Sequence, residues 1–191
     1  MLTKEKILDA AETVLRKFGP KKTTVVDVAR VLDVSHGTVY RHFATKAELH
    51  EAITIRWLDR VTMPLKNIVA QPVSAKLRLR NWFTELVKIK RSILIETPEM
   101  FESYAALAQI TPKQVQDQHI GHLLQQVETI MSEGVEEGVF DIEDCAETAR
   151  CFFQGTMRYH HPRHAPEWDS EFIDHEFNQL FSLLEKAICK N

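Results

Sequence analysis

Residues 34 to 46, VSHGTVYRHFATK, gather side chains that donate and accept hydrogen bonds over a short reach: Ser35, His36, Thr38, Tyr40, Arg41, His42 and Lys46. Gly37 sits among them, and neither it nor the β-branched and aromatic residues beside it is a strong helix former. The chemistry on offer is recognition of a rigid polar partner. Thr45-Lys-Ala-Glu48 has capping-box spacing, which puts Lys46 at the first helical position. A cation there opposes the helix dipole, at a cost of some tenths of a kcal/mol. A phosphate reverses that sign, because the free amides of the helix end and the Lys46 ammonium would grip it together.

The residues upstream must position this stretch. Ile7, Ala11, Val14, Leu15 and Phe18 recur at intervals of three and four and stop at Gly19-Pro20, which predicts an amphipathic helix. Thr24 with Asp27 then opens a short helix through Val25, Val28, Ala29 and Leu32. Ser35 opens a third, on which Val39 and Phe43 lie four apart and face the first two together with Val34. His36, Gly37, Thr38, Tyr40, Arg41 and His42 are left facing out. A short helix held by its neighbours does not need high propensity, so its outer face is free to be chosen for contact. Gly37 near its start removes a side chain that would hold a partner's backbone away. Two short helices and a tight turn, the second presenting its N-terminal residues, form the helix-turn-helix that places its second helix in the major groove of DNA.

TTVVDVARVLDVSHGTVYRHFATKAELHEAI resembles the DNA-binding domain of the tetracycline-repressor (TetR) family. That resemblance implies an all-α protein and no enzyme. A three-helix helix-turn-helix domain, residues 1–48, would be followed by a larger effector-binding and dimerisation domain, residues 49–191. It implies a homodimeric, ligand-responsive repressor whose partners are an operator in double-stranded DNA and a small-molecule effector. By position, DNA contacts would fall on Thr24, His36, Gly37, Thr38, Tyr40, His42 and Lys46, with Arg41 on the same outward face. Thr38, Tyr40 and Lys46 are expected on phosphates, His36 and His42 on base edges or groove walls. Two departures stand out: Asp33 occupies the turn position usually held by glycine, and Val26 a site where some relatives carry a base-reading arginine.

The remainder also reads as helical. A fourth helix from Lys46 to about Asn67 carries Leu49, Ile53, Trp57 and Val61 and meets Pro64, which is expected to bend or end it. Residues 74–96 repeat apolar positions at Leu79, Trp82, Phe83, Leu86 and Ile93, and Pro98–Leu107 form a shorter helix. Thr111-Pro-Lys-Gln114 has capping-box spacing and opens a helix to Gly138. Trp82, Phe83, Met100, Phe101, Tyr104 and His119 come from helices able to enclose an apolar or aromatic effector. Two last helices run over about 143–159 and 170–187. In the family such helices pair with their copies, which places a dimer interface on Ala149, Phe153, Ile173, Phe177, Leu180 and Leu184. A two-fold protein would read a pseudo-palindromic site with half-sites about 34 to 36 Å apart or a multiple of that.

Composition sets bounds. The net charge of −3 hides an N-terminal basic excess: residues 1–60 hold eleven Lys/Arg against eight Asp/Glu, so the rest carries −6. That asymmetry is too mild for an indiscriminate nucleic-acid binder. No stretch approaches the roughly 18 apolar residues of a membrane span, and a cytoplasmic location is expected. Cys145, Cys151 and Cys189 lack the CxxC spacing of a zinc site. His119 with His122, and His160-His161-Pro-Arg-His164 with His175, are the histidine groups to weigh for metal. No spaced carboxylate completes either, the second lies in a Pro-bearing stretch expected to be solvated, and neither metal nor cofactor is assigned. No GxSxG, P-loop or dinucleotide glycine pattern supports catalysis.

Overall fold

The computed structural model describes residues 2–190. Its helices are α1 (Lys4–Phe18), α2 (Val25–Val31), α3 (His36–Tyr40), α4 (Lys46–Val69), α5 (Ala75–Glu96), α6 (Pro98–Ile110), α7 (Lys113–Glu136), α8 (Cys145–Gly155), α9 (Met157–His160) and α10 (Ile173–Ile188). Short 3₁₀ segments cover Pro20–Lys22 and Pro162–Glu167. The described residues contain no strand, so the all-α expectation holds. Contacts divide the chain into two compact units, Met1–Arg60 with Glu96–Asp117, and Val61–Ile95 with Gln118–Asn191. This partition by packing differs from a division by role at residue 48, because α4 contributes to both units.

In the first unit Thr3 caps α1, and Gly19 closes it at φ +73° with its N–H on the Leu15 carbonyl, 2.8 Å. Ile7, Ala11, Val14 and Leu15 are buried as the periodicity predicts, with α1 packed on α2 and α6. Phe18 is the exception: it is half exposed, with the Lys17 ammonium over its ring. Arg60 grips the buried Glu12 carboxylate with bonds of 2.9 and 2.7 Å, fastening α1 to α4.

In the second unit Leu79, Trp82, Phe83 and Leu86 of α5 meet Leu123, Val127, Ile130 and Met131 of α7, Phe152 of α8 and Phe177 and Phe181 of α10. Phe83 is a centre of this core, with Trp82, Phe152 and Phe181 rings at 4.9, 6.1 and 5.3 Å. Pro64 does not end α4, which runs on to Val69. Burial of Leu65 and Ile68 beyond it offsets a lost helix bond worth about 3 kcal/mol. Thr111 is the C-cap of α6, where its hydroxyl and its amide both donate to the Leu107 carbonyl at 2.9 Å, so the protons it donates tie it to that helix end and not to the start of α7. The predicted helix over 143–159 ends at Gly155, where Thr156 turns its hydroxyl onto the Phe152 carbonyl, 2.8 Å, and a new turn, α9, begins. His160 on that turn is buried against Phe153, so this part of the HHPRH stretch is not solvated.

The end of α7 shows how closely this unit is packed. Gly138 adopts φ +73°, and the Val139 and Phe140 amides both bond the Gly134 carbonyl. Phe140 thereby lies on Gly134, and Asp141 and Lys190 exchange bonds with Ile188 and Val139. A Cβ at Gly134 would fall inside contact with the Phe140 ring and 3.0 Å from Ala75 Cβ. Gly134→Ala is expected to lower stability by about 2 kcal/mol through overpacking. Gly121→Ala on the same helix meets nothing within 4 Å and should raise stability by about 0.5–1 kcal/mol. Urea denaturation of both variants checks the pair.

Burial, with the Lys90 ammonium adding to it, pushes His119 and His160 down to about 3. The folded values lie below the unfolded one, so the stability that neutral imidazoles contribute is present above about pH 6.5 and is lost as pH falls toward 3. Between about pH 6.5 and 5, each should add a loss of about 1.4 kcal/mol per pH unit. The melting temperature should drop over that range, and His160→Gln should shallow the drop by one histidine's share.

Candidate nucleic-acid interface

The surface predicted to read DNA is built from caps. Thr24 Oγ1 accepts the Asp27 amide at 3.2 Å and gives its own proton to Asp27 Oδ2 at 2.5 Å. That bond, outweighing desolvation and joined by Arg30, holds the Asp27 carboxyl below the usual carboxylate range. Thr24 is half-buried and its hydroxyl is committed to the cap, so it is less available to DNA than its position implies. Ser35 Oγ accepts the Thr38 amide at 3.3 Å and pairs with the Thr38 hydroxyl at 2.8 Å. Thr38 thus shares its hydroxyl with the cap of α3.

α3 is shorter than predicted. The His42 and Phe43 amides both bond the Val39 carbonyl, at 2.9 and 3.1 Å, which tightens the chain into a turn after Tyr40. Arg41 and His42 therefore lie beyond the helix, His42 half-buried. Val39 and Phe43 are buried as expected, at 0% and 4% exposure. His36, Gly37, Tyr40, Arg41 and Lys46 are exposed. Asp33 takes φ +51° in the turn between α2 and α3, the left-handed region that Asp tolerates better than most residues.

Gly37 is informative because the fold does not call for it. A Cβ there would meet only Ser35 Oγ, at 3.9 Å, and its backbone is not in the left-handed region. The missing side chain leaves the exposed surface of α3 open at this point.

The Thr45–Glu48 box forms at 3.0 Å, although the Glu48 carboxylate reaches back to the Ala44 amide, 2.6 Å, one residue earlier than the usual partner. Lys46 Nζ donates to the Lys21 carbonyl at 2.8 Å. Its ammonium is thereby held beside the exposed Lys21 and Lys22 with two protons still to give. The sequence reading missed His50, whose Nε2 lies 2.8 Å from the Thr23 carbonyl. A carbonyl only accepts, so Nε2 carries the proton. Burial lowers the His50 pKa, with Lys46 adding to it and the Thr23 bond opposing. His50 pins α4 to the residue preceding the α2 cap. Its signal was faint: a lone polar residue beside Leu49 on an apolar face.

The other expected groups come out differently. Met100, Phe101 and Tyr104 belong to the first unit, where Tyr104 stacks on Trp57 at 4.6 Å and 13°. Trp82, Phe83 and His119 belong to the second. The six therefore do not share one compact unit. Of the six expected dimer residues, Ala149, Ile173 and Phe177 are buried in the core of the second unit. The periodicity that suggested them marks the inward face. Phe153, Leu180 and Leu184 are only partly buried, and Leu183 is 66% exposed. No group of three or more metal-ligating side chains occurs among the described residues.

Comparison with known proteins agrees with the first unit's geometry. Residues 7–53 match the family described as bacterial regulatory proteins, tetR family. Residues 75–181 match the tetracyclin repressor-like C-terminal domain. The HTH-type transcriptional regulator TtgR of Pseudomonas putida is 41% identical over 51 residues, which span 27% of this chain and only 24% of that protein. SmeT, the repressor of the Stenotrophomonas maltophilia multidrug efflux pump SmeDEF, has the same fold at TM-score 0.72 and 18% identity, covering 100% of this chain and 92% of its own. So does FadR from Bacillus subtilis, solved with stearoyl-CoA, at TM-score 0.69 and 16% identity, covering 95% and 97%. A family match over residues 75–181, joined to the helix-turn-helix match before it, means that the chain belongs to the TetR family of DNA-binding transcriptional regulators.

Proposed function

We propose that this regulator is a repressor which binds a pseudo-palindromic operator as a homodimer and is released by a small apolar or aromatic effector. The observation that carries the DNA half is Gly37: the fold gains nothing from it, while its place at the start of α3 suits close approach to a nucleic-acid backbone. His36 and Tyr40 flank it as exposed recognition groups, with His42 at the helix end. Lys46, Thr38 and Arg41 are the phosphate-facing set. Residues 1–48 form the reading domain and the remainder senses and dimerises. A regulator of genomic DNA acts in the cytoplasm.

Three of the dimer positions are revised. The faces offered to a second copy are Phe153 and the exposed Gly155 on α8, with Leu180, Leu183 and Leu184 on α10. Gly155 is open, with Leu184 Cδ1 3.8 Å from its Cβ position, so two such helices can approach closely. The effector half leans on structural neighbours solved with ligands that have large apolar parts, SmeT with triclosan and FadR with stearoyl-CoA, whose acyl chain is apolar and whose CoA part is charged. A ligand that prefers the state with lower operator affinity shifts the population by its differential affinity for the two states and no more.

Selection of bound duplexes from a random pool tests the reading: an inverted repeat is expected, and recovery of no sequence by a dimeric protein would sink it. On the selected site, Gly37→Ala should bind more weakly although the protein is more stable by about 0.5 kcal/mol. Lys46→Ala should weaken binding to all sequences and reduce the salt slope by about one. An unchanged slope removes Lys46 from the phosphate set. Leu183→Glu should turn the dimer into monomers in sedimentation velocity without altering the helical circular dichroism spectrum; a persistent dimer places the interface elsewhere.

A further inference from the structure

The apolar stripe of α1 ends on a cation. Ile7, Leu8, Ala11, Val14 and Leu15 bury its inner face, and one turn back toward the N-terminus the same face presents Lys4. Lys4 is exposed, yet it is held: its ammonium lies over the Phe43 ring, 5.8 Å from the centroid. Phe43 belongs to the core, at 4% exposure, so this lysine stands where the core of the first unit meets its surface. Its apolar stem suits the one and its charge the other.

The fold of α1 does not call for that charge. Thr3 caps the helix by accepting the Lys6 amide at 3.3 Å, and Lys4 is the first residue after the cap. A cation there opposes the helix dipole, where an acid would favour it. The acids of α1 are engaged elsewhere: Asp9 and Glu12 meet Arg56 and Arg60 of α4, and Arg56 also donates to the Glu5 carbonyl. Among the described residues Lys4 pairs with no carboxylate. Leucine or methionine at this place would cover the ring without opposing the dipole.

What lies beside Lys4 is the reading surface. Phe43 stands between His42 and Lys46, just after α3. Lys46 has the same character: it too is the first residue of a helix, and it too is held by a group from another segment, the Lys21 carbonyl at 2.8 Å. From Phe43 to Lys46 the chain can span at most roughly 11 Å. Within that reach one DNA strand offers several phosphates, one per roughly 3.4 Å of axis.

We propose that Lys4 is a further DNA contact of this regulator, its ammonium placed by Phe43 to neutralise a phosphate of its own beside the one assigned to Lys46. This rests on the reading of the α3 surface as the one that meets DNA, and it makes the start of α1 part of the reading head. A phosphate contact positions the protein and reads no base. Lys4 therefore adds affinity for every sequence alike.

The test is the salt dependence of binding by the full-length protein, on the selected operator and on an unrelated duplex, with Lys4→Met, Lys4→Gln, Lys4→Arg and Lys46→Ala beside the wild type. Between about 50 and 200 mM salt one phosphate contact accounts for a factor of about three to four in lost affinity. Lys4→Met keeps an unbranched apolar side chain against the ring and should fold. It should bind both duplexes more weakly at the low end of that range and lose about three- to fourfold less affinity across it. Lys4→Gln, which packs differently but is equally uncharged, should show the same lowered slope, and Lys4→Arg should restore the wild-type slope. Weaker binding with an unchanged slope means that Lys4 acts through the packing of Phe43 and overturns the proposal, as does unchanged binding. Lys46→Ala separates the two readings: a lowered slope there with none in Lys4→Met keeps the reading of α3 and rejects Lys4, whereas unchanged slopes in both reject the surface itself.

Discussion

A helix of five residues cannot hold itself up. α3 has about one turn of backbone bonds, too few to repay the entropy of fixing that turn, and everything in the first unit can be read as the scaffold that supplies the difference. Val39 and Phe43 are buried, at 0% and 4% exposure, each worth roughly 1.5–3 kcal/mol. Ser35 caps the start, and the tight turn on the Val39 carbonyl fixes the end. The scaffold is itself tied down, by Arg60 on Glu12 and by His50 on the Thr23 carbonyl. Because α3 contributes so little to its own stability, its outer residues need not be good helix formers.

Ionic groups are spent differently in the second unit. Arg78 is nearly buried, yet it reaches the Glu133 and Glu137 carboxylates, which remain partly solvated, and the Val69 carbonyl at 3.0 Å. Such a cluster joins the start of α5 to the end of α7, and its acids are near enough to water to soften the desolvation cost. Arg80 does similar work on Glu185 of α10 while lying over the Phe181 ring. Lys90, nearly three turns past Arg80 along α5, is buried as well, at 6% exposure.

What could be read from the sequence followed the range of the interactions involved. The caps at Thr24, Ser35 and Thr45 depend on residues three apart, and all three form. The stripes of α1, α5, α7 and α10 were legible because burial repeats with helical period. The errors came where a distant partner decides. Pro64 looked like a stop until the burial of Leu65 and Ile68 is counted. Ala149, Ile173 and Phe177 carry a periodicity that marks a buried face but cannot say whether one chain or two bury it. His50 and Lys90 were invisible because a polar residue in an apolar stripe has no meaning until its neighbours from other helices are known. Lys90 nonetheless left a trace, a gap in the run between Leu86 and Ile93.

The positions that break local rules fall into a pattern. Gly37 weakens a helix already short, Asp33 occupies a left-handed turn that glycine would take without strain, Lys46 opposes a helix dipole, and Lys90 puts an ion in an apolar stripe. Isolated folding would select against each of them. Departures of this kind persist where a second molecule supplies the compensating interaction. For Gly37 and Lys46 the molecule proposed is DNA, whose backbone would use the open space and whose phosphate would reverse the sign of the dipole cost. Asp33 is of another kind: among the described residues its exposed side chain gives the turn between α2 and α3 no hydrogen bond, and its φ of +51° is a backbone cost that the turn itself imposes.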